Sequence, residues 1–281
     1  MSTLFKKLQH NLESQSEKSK GIIGIAVKDL VSNELLEINA DELFPAASII
    51  KISVIIEFFR RVELKEIDPS TILLYGTKMR TTGSGVLKSL TEEKVSMPLI
   101  DYVTLMTIIS DNSATNILLD LLGLENINKN LEHIGLKITR LNRKMMDMEA
   151  FRRGVDNITT PREMLILLEE LFNPKILSKY VCEETLKMLK KPKEGLIQGV
   201  IRNSIKESIQ VADKSGWVSG VLGDVGIIYL PDNPYIVTVF LKHMPATDIH
   251  WYKANIELTR VTNLVHRYFE EVSTSTPEGR H

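Results

Sequence analysis

The chain has 281 residues, which is long enough for one large domain or for two intertwined lobes with a hydrophobic core. Apolar residues make up 43% of it and charged residues 25%, an ordinary balance for a globular protein. The 35 basic and 36 acidic residues give a formal net charge of -1, so neither a nucleic acid nor a membrane is expected as a partner.

Nothing in the sequence calls for a metal or another cofactor. Cys182 is the single cysteine and has no histidine beside it, so we expect a buried, inert thiol. No unbroken apolar stretch follows Lys6-Lys7, as a signal peptide would require, and no run is long enough to span a membrane. We therefore expect a cytoplasmic monomer that acts on a small molecule.

The first elements are a helix and a hairpin. Apolar residues recur at helical spacing through residues 4–12. Residues 21–27 are typical of a buried strand, and residues 33–38 of its hairpin partner.

Helical patterns dominate from Ser48 to about Leu189. Residues 49–59 are apolar nearly all round, which predicts a central helix buried on most faces. Two more apolar helices are expected at 99–109 and 114–122. A capping box with proline at the first helical position predicts another helix start at Thr160-Pro161-Arg162-Glu163.

Strand patterns return at 208–212, 225–230 and 235–240, and the last two flank a Pro-Asp-Asn-Pro turn. A final helix is expected over residues 248–272. Strands at both chain ends predict an α/β fold, specifically an α+β sandwich. Its antiparallel sheet is built from both ends and flanked by helices, with an inserted all-helical lobe. In this single domain, residues 1–45 and 190–281 would form the α/β lobe and residues 46–189 the helical lobe.

Three short elements carry candidate chemistry. Ser48-Ile49-Ile50-Lys51 starts the most buried helix, where a serine and a lysine three apart share one face. Ser110-Asp111-Asn112 lies in a break between two helices, and Lys214-Ser215-Gly216 ends a strand. Each motif alone is a weak signal.

Together and in this order, the three elements resemble the serine β-lactamase and penicillin-binding protein superfamily, class A in particular. The resemblance covers nearly the whole chain. Further matches are Phe44-Pro45 before the first element, Asn116 after the second, Asp213 before the third, and an Ω-loop that Arg140-Leu141-Asn142-Arg143 opens and Thr159-Thr160-Pro161 closes.

The resemblance implies a serine hydrolase that forms an acyl-enzyme. Ser48 would be the nucleophile. Lys51 would be its base as a neutral amine, because burial and the positive Lys214 would lower its pKa far below the ordinary lysine value. Ser110 would relay a proton to the leaving nitrogen, and Asn112 would bind an acyl-amide arm.

The third element would bind the other end of the substrate. Lys214 would supply positive potential and attract a substrate carboxylate, with Ser215 and Gly216 beside it. The backbone N–H groups of Ser48 and Trp217 would form the oxyanion hole.

One departure from the family concerns deacylation. Met145 stands where class A enzymes have the glutamate that activates the deacylating water. Glu149 is the better substitute base and Asp147 the second. Alternatively, both carboxylates face solvent or pair with Arg152 and Arg153.

A second departure concerns recognition. No basic residue stands near Asp224-Val225-Gly226, where the family has an arginine, and Trp217 is bulky where a small residue is common. The expected activity is hydrolysis of a β-lactam or a related amide or ester, with a role in antibiotic resistance. The alternatives are a penicillin-binding-like D,D-peptidase or acyltransferase, or a non-hydrolytic penicillin-binding sensor.

Overall fold

The computed structural model describes residues 2–193, 198–244 and 248–274. Helices are α1 Thr3–Lys18, α2 Lys51–Glu63, α3 Leu99–Ile108, α4 Asn112–Leu122, α5 Leu124–Ile134, α6 Met148–Arg152, α7 Pro161–Phe172, α8 Lys179–Leu189, α9 Gly199–Asn203 and α10 Asp248–Thr274. Strands are β1 Ile22–Asp29, β2 Leu35–Ile38, β3 Phe44–Pro45, β4 Ile72–Leu74, β5 Ser96–Pro98, β6 Ile158–Thr159, β7 Gln210–Val218, β8 Val221–Tyr229 and β9 Tyr235–Lys242. Short 3-10 turns cover Ala47–Ile50, Thr77–Met79 and Leu87–Ser89.

The chain forms two compact units. The first comprises residues 1–49, 159–169 and 198–281, and the second comprises residues 50–158 and 170–197. Segment 159–169, which includes the start of α7, therefore groups with the two chain ends. The lobe boundaries expected from the sequence stay a prediction.

The first unit contains a five-stranded antiparallel sheet in the order β2-β1-β9-β8-β7. Both predicted hairpins are confirmed: β1 pairs with β2 and β8 pairs with β9. Strands from the beginning and the end of the chain meet where β1 pairs with β9. Strand β7, which carries Lys214-Ser215-Gly216, is at the edge of the sheet.

The core of the first unit lies between this sheet and helices α1 and α10. Alternate residues of the central strands are buried there, as the period of two in a strand requires. Phe5 of α1 packs edge-on against Tyr268 of α10, and the Tyr235 ring stacks on Phe269 with 3.9 Å between centroids. The packing confirms the helices predicted at the two ends of the chain.

Helix α2 is the centre of the second unit, as its apolar sequence predicts. It packs against α4, α5 and α8. Its fully buried carboxylate, Glu57, pairs with Arg60 and Arg61 at 2.7 and 2.9 Å, so the charge is compensated within the helix. The residue pattern of the sequence did not predict the short antiparallel pair of strands β4 and β5 in this unit.

In the described residues, no helix combines the length and the apolar character needed to cross a bilayer. A cytoplasmic location stays a prediction.

Cys182 is buried on α8, as the sequence predicts. Burial, followed by the nearby Glu170 carboxylate, raises the pKa of its thiol to about 12. The thiolate is the nucleophilic form, so alkylation at pH 8 should be very slow in the folded protein and fast after denaturation. Iodoacetamide labelling with and without urea measures this difference. Rapid labelling of the folded protein would contradict the buried position.

Candidate active site

Ser48 lies in the 3-10 turn Ala47–Ile50, which runs directly into α2. The α-helix therefore begins at Lys51, three residues later than the sequence predicts. The turn starts from Ala47, whose φ of 45° is an uncommon conformation for a residue with a Cβ. Ser48 is half-buried.

Lys51 is fully buried in the second unit. Its Nζ donates to the Ser110 carbonyl at 2.8 Å, and it lies 3.0 Å from both Ser110 Oγ and Asn112 Oδ1. A buried amine in contact with a serine hydroxyl can exchange protons with it. The structure thus brings together three of the predicted site residues.

The backbone of the break between α3 and α4 places Ser110 against Lys51. Ser110 has a φ of 56°, and Asp111 caps α4 by accepting from the Ala114 N–H at 2.9 Å. Asn112 is the first residue of α4. The strained backbone at Ser110 presents both its carbonyl and its hydroxyl to Lys51.

Lys214 is fully buried on β7, and its Nζ donates to the Ser215 carbonyl at 2.9 Å. The strand continues to Val218, so Lys214-Ser215-Gly216 lies inside it and not at its end as predicted. Asp213, one residue earlier, binds Arg202 of α9 at 2.6 Å. This ion pair fixes β7 on α9 just before Lys214.

Gly216 of β7 lies directly against the backbone of Ser48. A Cβ at this position would lie 2.8 Å from the Ser48 nitrogen and 2.9 Å from the Ile49 nitrogen, closer than real Cβ atoms come. Only glycine lets the strand lie against the Ser48 amide. The neighbouring Trp217 is 47% exposed.

Gly216→Ala should therefore lower the acylation rate about tenfold or more, because β7 must move away from the Ser48 N–H that would hold the oxyanion. The rate of adduct formation with a fluorescent penicillin measures it. Gly76→Ala is the matched control, since a Cβ on Gly76 would meet nothing within 4 Å. Equal rates for the two variants would contradict an oxyanion site at this place.

The Ω-loop is attached to α4 through Asn116. Its side chain accepts from the Met145 N–H at 2.8 Å and donates to the Met145 carbonyl at 3.0 Å. The Met145 side chain is buried, at 8% exposure. A thioether cannot take a proton from water, so this residue of the loop contributes no base.

The two candidate carboxylates, Glu149 and Asp147, make their contacts at the ends of α6. Glu149 on α6 is 80% exposed in its side chain and pairs with Arg153 at 3.0 Å. Asp147 caps α6 by accepting from the Ala150 N–H at 2.9 Å. The Glu149 pair agrees with the alternative expectation of an exposed carboxylate bound to Arg153, whereas Asp147 is a helix cap, which neither expectation described. The role of Glu149 as a base stays a prediction.

Sequence reasoning missed the segment that packs on Asn112. The Asn112 side-chain Nδ2 donates to the Thr82 carbonyl at 3.0 Å, and its backbone N–H donates to the Ser84 carbonyl at 3.0 Å. The Thr81-Thr82-Gly83-Ser84-Gly85 run was the available signal, because two glycines in a short polar stretch favour close backbone approach.

The antiparallel sheet built from both chain ends and the buried contact between Lys51 and Ser110 are features expected of a serine hydrolase. The model of the Beta-lactamase enzyme family matches residues 4–269. The chain belongs to this family.

Individual proteins of known function or structure are similar to most of the chain. The chain is 26% identical to β-lactamase CARB-4 of Pseudomonas aeruginosa, over 88% of this chain and 85% of that protein. It is 28% identical to a β-lactamase of known structure from Sphaerobacter thermophilus, with a TM-score of 0.79 over 91% of this chain and 95% of that one. PBP-A, at 24% identity, has the same fold, with a TM-score of 0.83 over 94% of this chain and 96% of that one.

Proposed function

We propose that the protein cleaves a β-lactam, or a related amide or ester that carries a carboxylate, through an acyl-enzyme on Ser48. The observation that carries the proposal is the fully buried Lys51 amine, 3.0 Å from Ser110 Oγ. A lysine amine at this distance from a serine hydroxyl can exchange a proton with it, and the activation of an alcohol nucleophile requires such a proton transfer.

The proposed chemistry has two stages. Ser48 Oγ attacks the carbonyl carbon and its proton passes to Lys51, while the Ser48 and Trp217 N–H groups hold the oxyanion. The C–N bond then breaks, and the nitrogen receives that proton through Ser110. Attack by water on the ester at Ser48 releases the product and restores the hydroxyl.

Substrate binding involves the remaining predicted residues. Lys214, Ser215 and Gly216 take the carboxylate, and the Asn112 side chain takes the acyl-amide arm. The protein needs no cofactor for this chemistry and acts as a monomer without nucleic acid.

Slow deacylation is expected, because Met145 cannot accept a proton and stands where the family resemblance implies a general base. This favours a second candidate, in which the acyl-enzyme persists and the protein acts as a D,D-peptidase, an acyltransferase or a penicillin-binding sensor. Fast deacylation would instead fit a role in antibiotic resistance. Glu149 is the proposed substitute base.

Intact mass followed over time after mixing with benzylpenicillin tests the proposal. We expect an adduct of one penicillin per chain that decays slowly. An adduct that shows no decay over the whole observation time identifies the second candidate. Absence of any adduct, while the chain remains folded, would overturn acylation of β-lactams.

A further inference from the structure

Segment 81–88 lies directly against Asn112. Two hydrogen bonds tie the segment to this residue, through the carbonyls of Thr82 and Ser84. A Cβ on Gly83, whose φ is +85°, would lie 2.5 Å from Asn112 Nδ2 and 3.1 Å from Met146 Sδ. Gly83 thus lets the backbone contact the side-chain amide of Asn112, which would bind the acyl arm of a substrate.

Lys88 folds back over this segment, and its Nζ donates to the Gly83 carbonyl. The turn that carries it is anchored, because the Leu87 N–H donates to Asp111 Oδ2 at 2.9 Å. The Lys88 ammonium is therefore held at the carbonyl of Gly83, the same residue whose Cα lies against the Asn112 side chain.

This positive charge is not compensated by the carboxylates nearby. Asp111 is buried, and its two oxygens accept from the N–H groups of Leu87 and Ala114. Glu92 pairs with Arg80 at 3.2 Å. Within residues 2–193, 198–244 and 248–274, no carboxylate lies within ion-pair distance of Lys88.

We propose that Lys88 determines specificity by favouring acyl donors whose acyl arm carries a carboxylate beside the amide that Asn112 binds. The inference rests on the proposed function, since it takes Asn112 as the acyl-arm donor. An ammonium has three N–H donors, so Lys88 can bind such a carboxylate while keeping its bond to Gly83. Ion pairs at half-exposed sites are weak, so a preference of about three- to fivefold is expected.

Two penicillins that differ by one carboxylate test this preference. Benzylpenicillin and its α-carboxylated analogue carbenicillin share the ring system and the phenyl group. We expect Lys88→Gln to lower the ratio of their acylation efficiencies, carbenicillin over benzylpenicillin, about three- to fivefold. Lys88→Arg should keep the ratio. Lys129→Gln removes the same charge from the exposed face of α5 and should also keep it.

Salt supplies a readout that a merely structural role would not move. In 1 M NaCl the ratio for the unaltered protein should fall to that of Lys88→Gln, because the charge is screened at that ionic strength. The melting temperature of each variant checks the fold, and Lys88→Met serves as a second neutral variant should Lys88→Gln unfold.

The outcomes separate the two claims. Acylation by both penicillins with an unchanged ratio in the neutral Lys88 variants would overturn the role of Lys88 and leave the Ser48 chemistry intact. No adduct with either penicillin would overturn the proposed function, and the inference with it.

Discussion

Replacing Ser48 with alanine is expected to abolish covalent labelling by penicillins. Ser48 lies next to Gly216 of β7, and it precedes Lys51 by three residues in one continuous helical stretch. Without its Oγ no ester can form, even though the amine and the oxyanion donors remain. Intact mass after a long incubation should show only unmodified protein.

Ser89→Ala provides the control, because Ser89 is an exposed serine at the end of a 3-10 turn. It should label at the rate of the unaltered chain. An adduct of equal size on Ser48→Ala, located by peptide mapping on another residue, would contradict the assigned nucleophile.

The sequence predicted the features that depend on short-range patterns. Buried and β-rich runs predicted both hairpins, and the nearly all-round apolar stretch after Ser48 predicted the buried helix α2. Ser48 and Lys51 lie three residues apart in the consecutive 3-10 turn and α2, while the contact expected between their side chains stays a prediction.

Other features of the site depend on contacts between distant residues. The positive φ angles of Ala47 and Ser110 are held by tertiary packing, against the preference of both residue types. The contact of Gly83 with Asn112 joins residues 29 positions apart and has no periodic signature. The sequence offered the ion pair of Glu149 with Arg153 only as one of two alternatives, because an exposed ion pair contributes too little free energy for a pattern to decide between them.

Helix α4 connects the Lys51 contact to the position of Met145. Asn112, the first residue of α4, accepts a hydrogen bond from Lys51 Nζ. Asn116, one turn later on the same helix, accepts one from the Met145 N–H. The position of residue 145 is therefore fixed independently of its side chain. A change of side chain there should alter chemistry more than geometry.

Met145→Glu is accordingly expected to speed decay of the penicillin adduct, by about 10²-fold if the new carboxylate activates water as general bases do. Met145 is only 8% exposed, so the carboxylate would be partly desolvated and a stronger base than an exposed one. Acylation should change little, because no atom of the Met145 side chain takes part in it. Adduct lifetime by intact mass is the measurement, and Met145→Gln, of similar size without a base, is the control.

Glu149 is tested by the opposite change in the unaltered background. If its carboxylate is the substitute base, Glu149→Gln should slow adduct decay at least about tenfold and leave adduct formation unchanged, since a general base contributes that much or more. Arg153→Gln should then do the reverse, because it frees Glu149 from its 3.0 Å ion pair. Asp147→Asn should do less, as asparagine also caps a helix start. Unchanged lifetimes for Glu149→Gln and Met145→Glu together would mean that the Ω-loop does not act on the acyl-enzyme, and the transferase or sensor function would replace hydrolysis.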